Sequence, residues 1–88
     1  MKIHEQLTEQ NWWRGYGPTP AVGCLVEWIN RNYNPTTTPT RLEVKQRIHT
    51  ELGLKLGSYN VGSDIMWWND QALRTFDEVL ALCKKLDI

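Results

Sequence analysis

Two Thr-x-x-Glu sequences, Thr40-Arg41-Leu42-Glu43 and Thr75-Phe76-Asp77-Glu78, constrain this chain more than anything else in it. In such a box the threonine hydroxyl accepts from the backbone N–H three residues on, and the glutamate reaches back to the threonine N–H. Each box therefore marks a helix start. The apolar residues that follow keep helical spacing: Val44, Ile48 and Leu52 after the first box, and Phe76, Val79, Leu80, Cys83 and Leu86 after the second. Gly53 stops the first helix. Asp77 and Glu78 lie at the positive end of the second helix dipole, and Lys84 and Lys85 at its negative end.

The rest of the chain reads as further helix with irregular connections. Ile3, Leu7 and then Trp12 or Trp13 are spaced like the inward face of a short helix, ended by Gly15-Tyr16-Gly17-Pro18. Thr19-Pro20 reads as an N-cap followed by proline at the first helical position. That predicts a helix from about Pro20 to Asn32 with Val22, Leu25, Val26 and Ile29 inward, and Cys24 and Trp28 at the edges. Gly23 within it suggests a close helix–helix contact. Asn34 to Pro39 is a loop, Leu54-Lys55-Leu56 a weak strand candidate, and Gly57 to Gly62 a connection. Ser63 or Asp64 would then cap a short helix through Trp68. The expected fold is all-α: a small bundle of about four helices, one domain over residues 1–88.

Composition removes whole classes of function. Of 88 residues, 41% are apolar and 23% charged, which suits a globular domain. The formal net charge is zero, which argues against a protein built to neutralise many phosphates and leaves self-association open. The basic stretch Arg41, Lys45, Arg47 and Lys55 is offset by Glu43 and Glu51, so it reads as a solvated helix face rather than a nucleic-acid footprint. No apolar run approaches the ~20 residues needed to span a bilayer. The start of the chain does not read as a signal peptide. Cys24 and Cys83 lie in apolar patterns and are expected to be free and buried. These readings together favour a cytoplasmic setting with no membrane.

No catalytic motif emerges. His4, Cys24, His49 and Cys83 lack the close ligand pairs of a zinc site, so no metal is expected. Neither a Gly-x-Ser-x-Gly elbow nor a phosphate-cradling glycine loop is present, so no cofactor is expected either. Asp70 and Arg74 are i,i+4 and would form an ion pair if that turn is helical. Such a pair would brace the Trp68 segment against the last helix, or else serve a ligand. Asn69 would cap or close a turn through its side chain.

The tryptophans are the sharper clue. They occur as Trp12-Trp13 and Trp67-Trp68, with Trp28 between. Adjacent residues cannot both face one core, so one indole of each pair should be partly exposed. An exposed indole is a frequent anchor of binding surfaces. Alternatively, both pairs wrap the edge of a small core, with their N–H groups on carbonyls.

Trp68-Asn69-Asp70, three residues, then Arg74-Thr75-Phe76 and Glu78-Val79 resembles the closing motif of a family of small bacterial and phage proteins, a domain of unknown function. Leu7 with Trp12 or Trp13, and Cys24-Leu25, are similar to features earlier in that family. The resemblance implies a bacterial or phage source and brings no activity. The sequence thus points to a non-enzymatic binding or regulatory module. Its candidate binding residues are Trp12, Trp13, Trp67, Trp68, Asn69, Asp70 and Arg74, and its partner is a protein or small ligand, with a homo-oligomer as a further option. The alternative is a small ligand- or nucleotide-binding protein or enzyme using Asn69, Asp70 and Arg74. A weaker third option is DNA binding by the Thr40–Gly53 helix.

Overall fold

Both capping boxes close in the computed structural model, which describes residues 2–15, 17, 19, 21–54 and 61–88. The Glu43 N–H donates to Thr40 Oγ1 at 3.1 Å and the Glu78 N–H to Thr75 Oγ1 at 3.2 Å. Both glutamates return the contact, Oε1 accepting from the Thr40 and Thr75 N–H groups. Five helices form among the described residues: α1 (Ile3–Gln6), α2 (Leu25–Asn32), α3 (Arg41–Leu52), α4 (Val61–Asn69) and α5 (Phe76–Leu86). Instead of a sheet, these residues show one parallel bridge between Trp12 and Gly23. The fold is all-α.

The ends of α3 and α5 share one device. Gly53 and Asp87 take left-handed backbone conformations, with φ of 62° and 54°. The next N–H in each case, Leu54 or Ile88, reaches back to a carbonyl of the last turn, at His49 or Cys83. This arrangement satisfies carbonyls that a helix end leaves open, and it favours an apolar contact across the turn. Ile88 and Cys83 provide that contact for α5, both fully buried. Asp87, which lacks the freedom of glycine, is held by the Lys2 ammonium and lies 3.4 Å from the His4 ring. The His4 N–H donates to the Ile88 oxygen at 3.0 Å, so α1 docks on the end of α5.

Three expected elements are corrected. The first helix is a single turn: Leu7 is already extended, and Trp12 enters the bridge rather than a helix face. The second starts at Leu25, not near residue 20. Trp13 N–H donates to Gly23 O and Gly23 N–H to Asn11 O, both at 3.0 Å. These bonds hold residues 22–24 extended, so Gly23 serves a backbone pairing and not a helix–helix crossing. α4 begins at Val61, which puts Ser63 and Asp64 inside its first turn instead of at its cap. Expectations for Tyr16, Pro18, Pro20 and residues 55–60 lie outside the described residues.

The core gathers Ile3, Leu25, Ile29, Val44, Ile48, Ile65, Val79, Cys83 and Ile88, none with solvent contact above about a hundredth of its surface. α3 packs on α4 and α2, and α4 on α2. Between α3 and α4, His49 Nε2 meets Asp64 Oδ2 at 2.9 Å. The inward stripe of α5 is Val79, Leu82 and Cys83, while Phe76, Leu80 and Leu86 sit at its edge. The helix is thus rotated from the expected face, because Leu82 packs inward and Phe76 turns toward a surface cleft. The radius of gyration, 12.0 Å, is that of a well-packed chain of this length, about 12 Å.

The basic stretch of α3 is largely engaged inside the fold. Arg41 donates to Asn30 O at 2.9 Å and Tyr33 O at 3.1 Å, at the end of α2. Arg47 donates to Leu86 O at the end of α5, and Glu51 pairs with Lys85. Cations at helix C-termini complement the dipole there. These side chains stabilise helix ends.

Candidate functional site

The Trp-Asn-Asp segment closes α4 at a junction of three elements. Asn69 is fully buried. Its Oδ1 accepts from Trp12 Nε1 at 2.7 Å and from the Leu25 N–H at 3.1 Å. Its Nδ2 donates to Trp13 O at 3.0 Å and to Asp70 Oδ1 at 2.9 Å. An asparagine side chain has two acceptor and two donor positions, and all four are filled. The Leu25 N–H is one of the unpaired donors at the start of α2. Cys24, at the N-cap position, offers it no side-chain bond. Asn69 therefore caps α2 from 44 residues away. The expectation that Asn69 caps through its side chain holds in kind, though the helix concerned is a distant one.

Asp70 continues the junction outward, its Oδ1 accepting from the Gly15 N–H at 2.7 Å. It makes no pair with Arg74. α4 ends at Asn69, so residues 70–74 do not form the helical turn that would bring an i,i+4 pair together. Arg74 instead joins the two last helices. Its Nε donates to Trp68 O at 2.9 Å, its guanidinium stacks 4.0 Å from the Trp68 ring, and its Nη1 donates to Glu78 Oε2 at 2.6 Å. The Glu78 carboxyl is held below the usual glutamate range, first by the Thr75 N–H and then by Arg74. The bracing role read for Asp70 with Arg74 thus belongs to Trp68, Arg74 and Glu78.

Each tryptophan pair divides as adjacency demands. Trp12 and Trp68 are 7% and 8% exposed, Trp13 and Trp67 46% and 64%. Trp28 is buried, its Nε1 donating to Asn11 O at 3.2 Å. Both buried members of the pairs carry a cation over the ring, Arg14 over Trp12 and Arg74 over Trp68.

Around Trp13 the surface opens into a cleft of about 780 Å³ between the bridge segment and the turn before α5. Trp13, Leu73 and Phe76 supply its apolar surface, and Glu9, Arg14 and Arg74 its charges. Arg14 spans the two walls by donating to Ala72 O at 2.6 Å. Leu73 is 91% exposed. The sequence reading names Trp12, Trp13 and Arg74 here but not Glu9, Arg14, Leu73 or Phe76. Leu73 had a signal: it is an apolar residue in a turn that belongs to no helical stripe. Trp67 lies outside this cleft, on the solvent side of α4.

Both thiols are free and buried, which disfavours the reactive thiolate. Burial raises Cys83 to about 12 and also raises Cys24. No group of three His, Cys, Asp or Glu side chains able to hold a metal ion occurs among the described residues. No described helix is long and apolar enough to cross a membrane. The chain matches no family model, no curated protein and no solved structure.

Proposed function

We propose that this chain is a non-enzymatic interaction module that docks a protein partner on the Trp13–Leu73 cleft. One observation carries the reading: a half-exposed indole and an almost fully exposed leucine flank a cleft that the fold leaves open. An exposed aromatic anchor beside a cavity is the usual core of a binding hot spot. The backbone of Trp13 is also held before any partner arrives, since Asn69 donates to its carbonyl and its N–H donates to Gly23 O. Holding the backbone that bears the anchor lowers the ordering cost of association. The tail's resemblance to small bacterial and phage proteins suggests an accessory role for the module.

A ligand- or nucleotide-binding reading through Asn69, Asp70 and Arg74 finds less support. Asn69 has no open hydrogen-bonding position, and both Asp70 and Arg74 are engaged in joining elements.

Photo-crosslinking from position 13 in source cells tests the proposal. The expected result is a discrete crosslinked protein that disappears with Leu73→Asp and persists with an exposed control substitution, Leu42→Asp. The reading is overturned if no crosslink depends on Leu73, or if iodide fails to quench Trp13 in a proven monomer.

A further inference from the structure

The cleft carries both halves of a contact on one patch. Leu73 projects from its rim, 91% exposed, beside a hollow of about 780 Å³. Glu9 and Arg14, one acid and one base, line the same cleft. Among the described residues Glu9 has no ion-pair partner, and Arg14 bonds only the Ala72 carbonyl and Trp12 ring. Arg74, the other cation, is already matched by Glu78. The patch thus has a knob, a hole, and one unmatched charge of each sign.

A patch that holds a knob, a hole and a charge of each sign carries the components that a two-fold contact pairs with each other. In an isologous contact, residue i of one copy meets residue j of the other, and j meets i. A foreign partner that is acidic or basic would satisfy only one of the two charges, whereas a second copy satisfies both. The zero net charge of the chain adds no long-range repulsion to such an encounter.

Resting on the docking role assigned to this cleft, the geometry points to a second copy of this chain as its occupant. In the resulting two-fold dimer, Leu73 of each copy enters the cleft of the other against Trp13 and Phe76. Glu9 pairs across the axis with Arg14, twice per dimer.

Sedimentation velocity from micromolar to millimolar chain reads the outcome. The parent protein is expected to pass from one chain to two as concentration rises. Leu73→Asp should weaken the association by about tenfold or more, with an unchanged circular dichroism spectrum, since the side chain it replaces is exposed. Glu9→Arg and Arg14→Glu each put like charges at both cross-axis contacts, and each should weaken self-association by about tenfold. Mixed together, these two variants have opposite charges at both contacts and should form a heterodimer. The dimer is overturned if the parent stays monomeric at millimolar concentration, if the Leu73 or charge variants associate like the parent, or if the mixture fails to pair. A monomer in which iodide quenches Trp13 overturns the dimer and leaves the docking role standing. Shielding of Trp13 in that monomer overturns both.

Discussion

The Asn69 side-chain oxygen stands 2.7 Å from the Trp12 indole nitrogen, across 57 residues of sequence, in a site without solvent. The same oxygen holds the first N–H of α2. Removing this amide leaves two buried donors, and the partly buried Trp13 carbonyl, without their partner. Each orphaned group costs about 1–3 kcal/mol, so Asn69→Ala should destabilise the fold by about 3 kcal/mol or more. Asn69→Asp keeps the shape but replaces the two Nδ2 donors with an oxygen aimed at Trp13 O and the Asp70 carboxylate. It should be at least as damaging near neutral pH. Urea denaturation of both variants checks the point. A loss below about 1 kcal/mol in either one would contradict the junction.

The tryptophans should separate into two groups. Trp12→Ala and Trp68→Ala remove buried rings and should each cost about 3–5 kcal/mol. Trp13→Ala and Trp67→Ala remove exposed ones and should stay within about 1 kcal/mol of the parent. Thermal unfolding of the four variants reads this directly. In the monomer, the iodide-accessible share of the fluorescence should fall with Trp13→Phe and Trp67→Phe alone.

Asp87 combines a left-handed backbone with a contact to Lys2, and the two can be pulled apart. Asp87→Gly gives up the contact but relieves the backbone, which glycine adopts freely. Asp87→Ala gives up the contact and keeps the strain. The alanine variant should therefore melt at a lower temperature than the glycine variant. The reverse order would show that the α5 end does not depend on this conformation.

Acid should loosen both ends of α5. The Asp87 carboxyl is held below the usual aspartate range by the Lys2 hydrogen bond and then by His4; Glu78 is held down by Thr75 and Arg74. A carboxyl depressed in the folded state contributes stability that is complete above its unfolded value and is lost as pH falls through the folded one. Melting temperature should hold steady down to the ordinary glutamate value of 4.5 and fall below it. Glu78→Gln, measured across the same range, should flatten part of that fall.

What the sequence made legible follows the range of the interactions. The starts of α3 and α5 depend on hydrogen bonds spanning three residues, and both boxes lie within a single stretch of chain. The division of the tryptophan pairs follows from adjacency alone. The start of α2 is not legible locally, because Thr19-Pro20 has the composition of a cap while the working cap is Asn69. No pattern within a short window announces a partner 44 residues away. The Asp70–Arg74 pair failed for the same kind of reason, since i,i+4 spacing brings side chains together only where the helix continues. The cleft depends on how the bridge segment meets the turn before α5, and residue spacing does not encode that meeting.

The amide of Asn69 also bears on the order in which the molecule can assemble. The first turn of α2 and the indole of Trp12 wait for a residue near the end of α4, so the amino-terminal third has no finished form of its own. Contacts of this range are costly to close before the rest of the chain has condensed. Folding should accordingly be all-or-none, with the junction closing late. A ribosome-bound chain exposing only the first fifty residues would hold the α3 capping box in its sequence but lack the residue that finishes α2.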